Sequence, residues 1–220
     1  MKKILIGTPS YDGRVDVWYT DSLVNSTKLA IENNIDLFAI YTSYDALVQR
    51  ARNKLVQIAL EYNFDEIIFI DSDMGWDPQW ILDLANRKED IIGGIAPGRR
   101  DIESWNTYIA SKNLIYSDDK KLIQVEKIGT GFLKVSKKAL LDIWNISSKY
   151  LDDEDQKTYC HAFELEVKDN TLFSEDYVFC RKLIDLGYKL WVDPTMNCNH
   201  TGTKTFTGNF IEFLNKNGYR

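Results

Sequence analysis

The chain has 220 residues, 44% of them hydrophobic, enough for one substantial core and consistent with a single domain over 1–220. Its 27 basic and 33 acidic residues leave a net charge of -6, which argues against a broad nucleic-acid groove. Cys160, Cys180 and Cys198 stand far apart with no CxxC pair, so neither a thiolate zinc site nor a disulfide framework is suggested, and no apolar run approaches the ~20 residues of a membrane span.

The opening MKKILIGTPSYDGR has an apolar stretch too short for a signal peptide and broken at once by Pro and Asp. It reads as the first buried strand of a cytoplasmic protein, opening into the loop TPSYDGRVD. From Asp21 the apolar positions Leu23, Thr27, Ala30 and Ile31 predict a helix capped by Asp21 or Ser22. IDLFAIYT predicts a second strand, and TSYD offers the cap of a helix with the stripe Val48, Ala51, Leu55, Ile58, Ala59 and Tyr62. DEIIFIDSD predicts a third strand. Pro78 suits the start of a helix carrying Trp80, Ile81, Leu84 and Ala85, and DIIGGIAP predicts a fourth strand.

Alternating strands and helices of this kind predict a mostly parallel sheet with crossover helices, its strands covered on both faces. Binding groups would gather beyond the carboxyl ends of those strands. The second half is less regular. Residues 104–125 suggest short antiparallel strands around a turn, and GTGFLKVSKKALLDIW runs from a strand into a helix. LDDEDQKT reads as an acidic surface loop. SEDYVFCRKLIDLGYKLWVDP reads as a helix stopped at Gly187 and then a strand, before a Gly/Thr-rich loop and a short closing helix.

Asp71 and Asp73 directly follow the apolar run EIIFI. Two carboxylates at the edge of a core repel one another and carry a desolvation cost unless a positive group lies between them. A hard cation, Mg²⁺ or Mn²⁺, would serve, and a strand-end cap is the other reading. Spacing alone does not distinguish the pair, because Asp153 and Asp155 share it within an acidic loop. His200, in NCNHTG, could complete a mixed nitrogen and oxygen site and would favour Mn²⁺. His161 carries no partner signal. Glu175 and Asp176 open a helix, where acidic residues suit the dipole, and a carboxylate there is also a plausible general base. Arg99 and Arg100, in GIAPGRR, form either a solvated pair or an anion contact.

Taken together, the opening strand with TPSYDG, the helix bearing Arg50, Arg52 and Asn53, IDSDMGWDP, GTGF, SEDYVFCRKLIDLGYKLWVDP and NHTG resemble a GT-A type glycosyltransferase of the family 2-like group. The compact form is similar to small enzymes of this type from phages and bacteria. The resemblance implies an α/β GT-A fold, with residues 1–100 as the nucleotide-binding half, 101–200 as the acceptor side and 201–220 as a tail. It implies that Asp71, Asp73 and His200 hold Mn²⁺ or Mg²⁺, with Asp71 near the ribose. Thr8, Pro9 and Tyr11 would cradle a nucleobase, usually uracil. Arg52 and Asn53 would face the nucleotide or donor sugar, and Gly129, Thr130 and Gly131 would line the donor and acceptor cleft. Asp176, or Glu175 beside it, would be the base.

The activity implied is metal-dependent transfer of a sugar from a nucleoside-diphosphate donor to a glycan or small-molecule hydroxyl, with inversion. The chain lacks a Q-x-x-R-W-type segment after the E-D helix, which removes support for a processive synthase and leaves a retaining enzyme open. A transferase acting on a modified base in DNA is a further alternative. A nucleotidyltransferase would normally carry a Gly-rich basic loop after the first strand, where TPSYDGR has only Arg14. A non-enzymatic binding module would use the aspartates merely as a cap.

Overall fold

The computed structural model describes residues 1–99, 104–202 and 204–219. The chain begins with β1 (Lys2–Ser10), α1 (Val17–Glu32), β2 (Ile35–Ser43), α2 (Val48–Glu61), β3 (Glu66–Ile70), β4 (Met74–Gly75), α3 (Gln79–Asn86) and β5 (Ile91–Ile95). It continues through β6 (Thr107–Tyr108), β7 (Ile123–Val125), β8 (Lys127–Ile128), β9 (Phe132–Ser136) and α4 (Lys137–Ile146). Next come two hairpin pairs, β10 (Lys149–Leu151) with β11 (Thr158–Cys160) and β12 (Glu166–Lys168) with β13 (Thr171–Phe173). The chain then forms α5 (Glu175–Asp185), β14 (Leu190–Asn197), β15 (Asn199–Thr201), β16 (Thr205–Phe206) and α6 (Phe210–Lys216).

Among the described residues a seven-stranded mixed sheet runs in the order β2-β1-β3-β9-β5-β14-β7. The pairs β2–β1, β1–β3 and β5–β14 are parallel. β9 lies antiparallel between β3 and β5, and β7 is antiparallel to β14. The fold is therefore a mixed α/β sheet flanked by helices. The expected run of four parallel strands is interrupted because β9 competes for the slot beside β3. Phe132, Leu133 and Val135 of β9 are fully buried there, contributing about 1.5–3 kcal/mol per large side chain. Lys134, also buried, turns its ammonium to the carbonyls of Leu84 (3.1 Å) and Arg87 (3.0 Å), which closes the C-terminal end of α3.

Strand parity divides the core. Leu5, Ile67 and Phe69 face α2, α4 and α5, while Ile4, Ile6, Ile68 and Ile70 face Tyr19, Trp76 and Phe132. The edge strand β2 departs from the expectation of two covered faces, since Phe38 and Tyr41 remain exposed. Helix α1 begins at Val17 rather than near Asp21. Asp16 caps it by accepting from the Trp18 N–H at 2.9 Å, and the Asp16 N–H donates to the Ser72 carbonyl at 2.8 Å. Its buried face is Tyr19, Ser22, Ser26 and Ala30, leaving Ile31 outside. The serines face inward because Trp76 is there. Ser22 Oγ donates to the Trp76 carbonyl at 2.7 Å, and Trp76 Nε1 donates to Ser26 Oγ at 3.0 Å. No side chain of TSYD caps α2 directly, although Asp45 accepts from the Leu47 N–H at 2.9 Å. Among the described residues, no helix is long and apolar enough to cross a membrane.

Candidate functional site

The carboxyl end of β3 delivers Asp71, and a second, three-stranded sheet brings the C-terminal region to it. β15 pairs with β4 so that His200 lies opposite Met74, and the Thr201 N–H donates to the Asp73 carbonyl at 2.9 Å. This local pairing, not sequence proximity, places His200 beside Asp73. Gly131 closes the third side: the Asp71 N–H donates to its carbonyl at 3.1 Å, and a Cβ there would stand 2.6 Å from Met74 Cε and 3.1 Å from Asp71 Oδ2. The result is a cleft of about 360 Å³ onto which Arg52, Asp71, Asn106, Thr130, Asp176 and His200 open.

Arg52 is 4% exposed and bridges two acids, donating to Asp71 Oδ1 at 2.9 Å and to Glu175 Oε1 at 2.6 Å. Burial alone would lower its pKa, but the charges of Asp71, Glu175 and Asp176 outweigh that and hold the guanidinium charged. Glu175 is thereby committed to Arg52. Asp176 lines the cleft and accepts from Ser174 Oγ at 2.5 Å.

Asp73 contacts Arg99 through Oδ2 at 2.9 Å. Its Oδ1 is buried without a hydrogen-bond partner and faces His200 Nε2 at 3.6 Å, beyond bonding reach. His200 Nδ1 lies 2.8 Å from the Pro97 carbonyl, which can only accept, so Nδ1 carries a proton and Nε2 is the nitrogen turned towards Asp73, as an N–H in the charged ring and as a lone pair in the neutral one. Burial lowers the His200 pKa, while the Asp73 carboxylate and the Pro97 carbonyl raise it by more, for a net rise. The carboxylate favours the charged ring while the two face each other alone; a divalent cation of the Mn²⁺ type between them would take the place of the Nε2 proton. Among the described residues, however, no group of three His, Cys, Asp or Glu side chains is arranged around one point. Asp71, expected as a third ligand, is turned to Arg52.

Other expected residues are placed differently. Asn53 Nδ2 donates to the Phe163 carbonyl at 3.0 Å and its Oδ1 accepts the Phe163 N–H at 2.8 Å, so the amide is spent on backbone away from the cleft. The Thr8 hydroxyl is buried 2.6 Å from Tyr19 Oη. Thr8, Pro9 and Tyr11 do not line the cleft, and Tyr11 is 73% exposed. Gly129, Thr130 and Gly131 do line it. Arg99 reaches Asp73, and Arg100 lies outside the described residues. His161 stands apart, 3.3 Å from Glu164.

Asn106 was not foreseen. Its backbone and Oδ1 pair with Ala96, its carbonyl accepts from the Gly129 N–H at 2.6 Å, and its Nδ2 is left buried and unpaired, as is Thr130 Oγ1. A lone Asn in the polar stretch SWNT carries no spacing signal that would single it out.

Neither a protein-family model nor a curated protein matches the chain. Among solved structures it is similar to A197 from STIV, with a TM-score of 0.57 and 15% identity, over 92% of this chain and 86% of that one. That likeness supports the fold. Looser similarities are to a glycosyltransferase involved in glycosylation of the major capsid of PBCV-1 (TM-score 0.37, 12% identity, 64% of this chain and 62% of that one) and to S. aureus TarS 1-349 in complex with UDP (0.42, 14%, 87% and 57%). At those scores neither bears on what this chain does.

Proposed function

We propose that the protein is a GT-A-type glycosyltransferase that uses a nucleoside-diphosphate sugar, UDP-linked, as donor and inverts the anomeric carbon. The observation that carries this reading is Asp73 Oδ1, buried without a hydrogen bond and 3.6 Å from His200 Nε2, beside a polar cleft. Asp73 and His200 would hold a divalent cation, which supplies charge neutralisation to a diphosphate leaving group.

The rest of the chemistry falls to the chain's own groups. Asp176 removes the proton from the acceptor hydroxyl. The acceptor oxygen forms a bond to the anomeric carbon as the bond from that carbon to the diphosphate oxygen breaks, and its electron pair leaves with the nucleoside diphosphate. Arg52 engages both Asp71 and Glu175, so Asp176, with Oδ1 held by the Ser174 hydroxyl and the Tyr177 N–H, is the carboxylate left to act on the cleft through Oδ2. The unpaired Asn106 Nδ2 and Thr130 Oγ1 are available to donor hydroxyls.

Calorimetric titration with UDP, GDP and dTDP and their sugars, with and without Mn²⁺, tests this. The reading expects a UDP-sugar response that requires Mn²⁺ and disappears with a chelator. A flat response to every nucleotide under both conditions would overturn it.

A further inference from the structure

A second cleft, of about 450 Å³, adjoins the first, and Tyr177 lines both. The connection runs through the backbone as well. Lys127 of β8 lines the second cleft and Gly129, two residues on, lines the first. Asp176, between them, is the residue before Tyr177.

The walls of this second cleft are aromatic and cationic. The Lys127 ammonium stands 4.7 Å from the centre of the Tyr177 ring, 5.4 Å from Tyr108 and 5.6 Å from Phe173. Among the described residues Lys127 makes no salt bridge, so these ring faces hold the cation without neutralising it. Arg181 lies 5.8 Å from the Phe173 ring and is paired with Glu166, while Lys189 adds a further cation. Glu126 is the one carboxylate among the described lining residues, against three cations. The chain as a whole has the opposite balance, 27 basic to 33 acidic. Tyr188 contributes its ring, since its hydroxyl is already tied to Asp142 and Lys138, each at 2.5 Å.

Ring faces accept the C–H face of a sugar, and an unpaired ammonium held among them selects for negative charge. We propose that the second cleft is the acceptor subsite and that it takes a sugar carrying an anionic substituent, a phosphate or a carboxylate, with Lys127 as the discriminating residue. The inference rests on the transferase reading above for its orientation towards Asp176, while the binding preference itself can be measured without a donor.

The probes are glucose 6-phosphate, glucuronate and glucose, titrated into the protein with no nucleotide present. The anionic sugars should bind at least tenfold more tightly than glucose. Lys127→Met should reduce that preference by about tenfold, which is about 1.4 kcal/mol, and Lys127→Arg should retain it. The arginine variant guards against a folding defect in the methionine one. Glucose 6-phosphate bound more tightly than glucuronate would identify phosphate as the preferred group, and the reverse a carboxylate; either supports the inference. Equal binding of all three sugars, or a preference untouched by Lys127→Met, overturns it. In that case a Mn²⁺-dependent response to UDP would leave the donor assignment standing. Lys127-dependent binding of an anionic sugar without any nucleotide response would instead support this subsite and count against the donor assignment.

Discussion

Residues 71–73 and 153–155 carry acids at the same spacing, yet their charges are handled in opposite ways. In the second segment Asp152, Glu154 and Asp155 are answered locally. Asp155 accepts from Tyr159 Oη at 2.6 Å and from the Lys157 N–H at 3.0 Å, Lys54 lies 3.1 Å from Asp152, and Arg50 reaches Glu154. The hairpin of β10 and β11 closes over a loop whose side chains bond mainly to its own backbone and to α2. In the first segment Asp71 is answered by a buried arginine that also serves Glu175, and Asp73 keeps a buried oxygen with nothing bonded to it. Spacing is shared; what differs is whether the folded chain itself satisfies the carboxylates. Asp152 Oδ2 is likewise buried without a hydrogen bond, but the Lys54 ammonium stands 3.1 Å from it, whereas Asp73 Oδ1 faces the His200 ring at 3.6 Å.

The largest effect expected from this contrast is on binding. Asp73→Ala should abolish Mn²⁺-dependent nucleotide binding, a loss beyond the ~10–100-fold typical of an outer-shell change, whereas Asp155→Ala should leave it unchanged. Calorimetry on the two variants checks this, and equal losses would erase the distinction between the segments. Next is stability. Arg52→Met leaves the part-buried Asp71 and Glu175 without their shared cation and should cost about 2–4 kcal/mol in denaturant unfolding. Lys54→Met takes the cation from the buried Asp152, whose carboxylate keeps the Glu154 N–H, and should cost about 1–3 kcal/mol. Asn53→Ala leaves the Phe163 N–H and carbonyl unpaired and should cost about 1–3 kcal/mol while nucleotide affinity holds, which separates Asn53 from its expected binding role.

The most gradual effect, spread over pH rather than lost in one step, is a slope set by two buried thiols. Burial pushes the Cys160 thiol, in β11, up to about 11 and the Cys180 thiol, in α5, up to about 12. Their folded pKa values are raised, so the unfolded chain loses these protons first. Stability is therefore intact below about pH 9 and declines as pH rises through the folded values, by about 1.4 kcal/mol per pH unit for each thiol. Unfolding midpoints between pH 8 and 11, compared with those of Cys160→Ala and Cys180→Ala, would measure each region's share.

Much of this arrangement was legible in the sequence. The apolar runs KKILIGT, IDLFAIYT, DEIIFIDSD and DIIGGIAP contain strands, the first two of which run on to Ser10 and Ser43, and α2 and α3 lie where their stripes place them. The position of Asp71 at a buried strand end followed from the abrupt stop of EIIFI. The place of β9 was not legible, because antiparallel insertion between β3 and β5 depends on which distant strand fits the slot, and FLKVS has no local mark of its partner. The hairpin of β12 and β13 was missed because its turn uses Asp169 and Asn170 at positive φ, with no glycine to announce it. The start of α1 was missed because Asp16 is fixed by the Ser72 carbonyl, a contact between segments far apart in the chain. For the candidate site, the approach of Asp71, Asp176 and His200 to one cleft was foreshadowed by their places at element ends, but the turning of Asp71 and Glu175 to Arg52 and of Asn53 to Phe163 required three dimensions.

The most direct test of the central claim is pulsed electron paramagnetic resonance of Mn²⁺ bound to the protein with UDP. The account predicts coupling to an imidazole nitrogen that is present in the native chain and absent in His200→Ala. A spectrum without nitrogen coupling, or one identical in the two proteins, would contradict it.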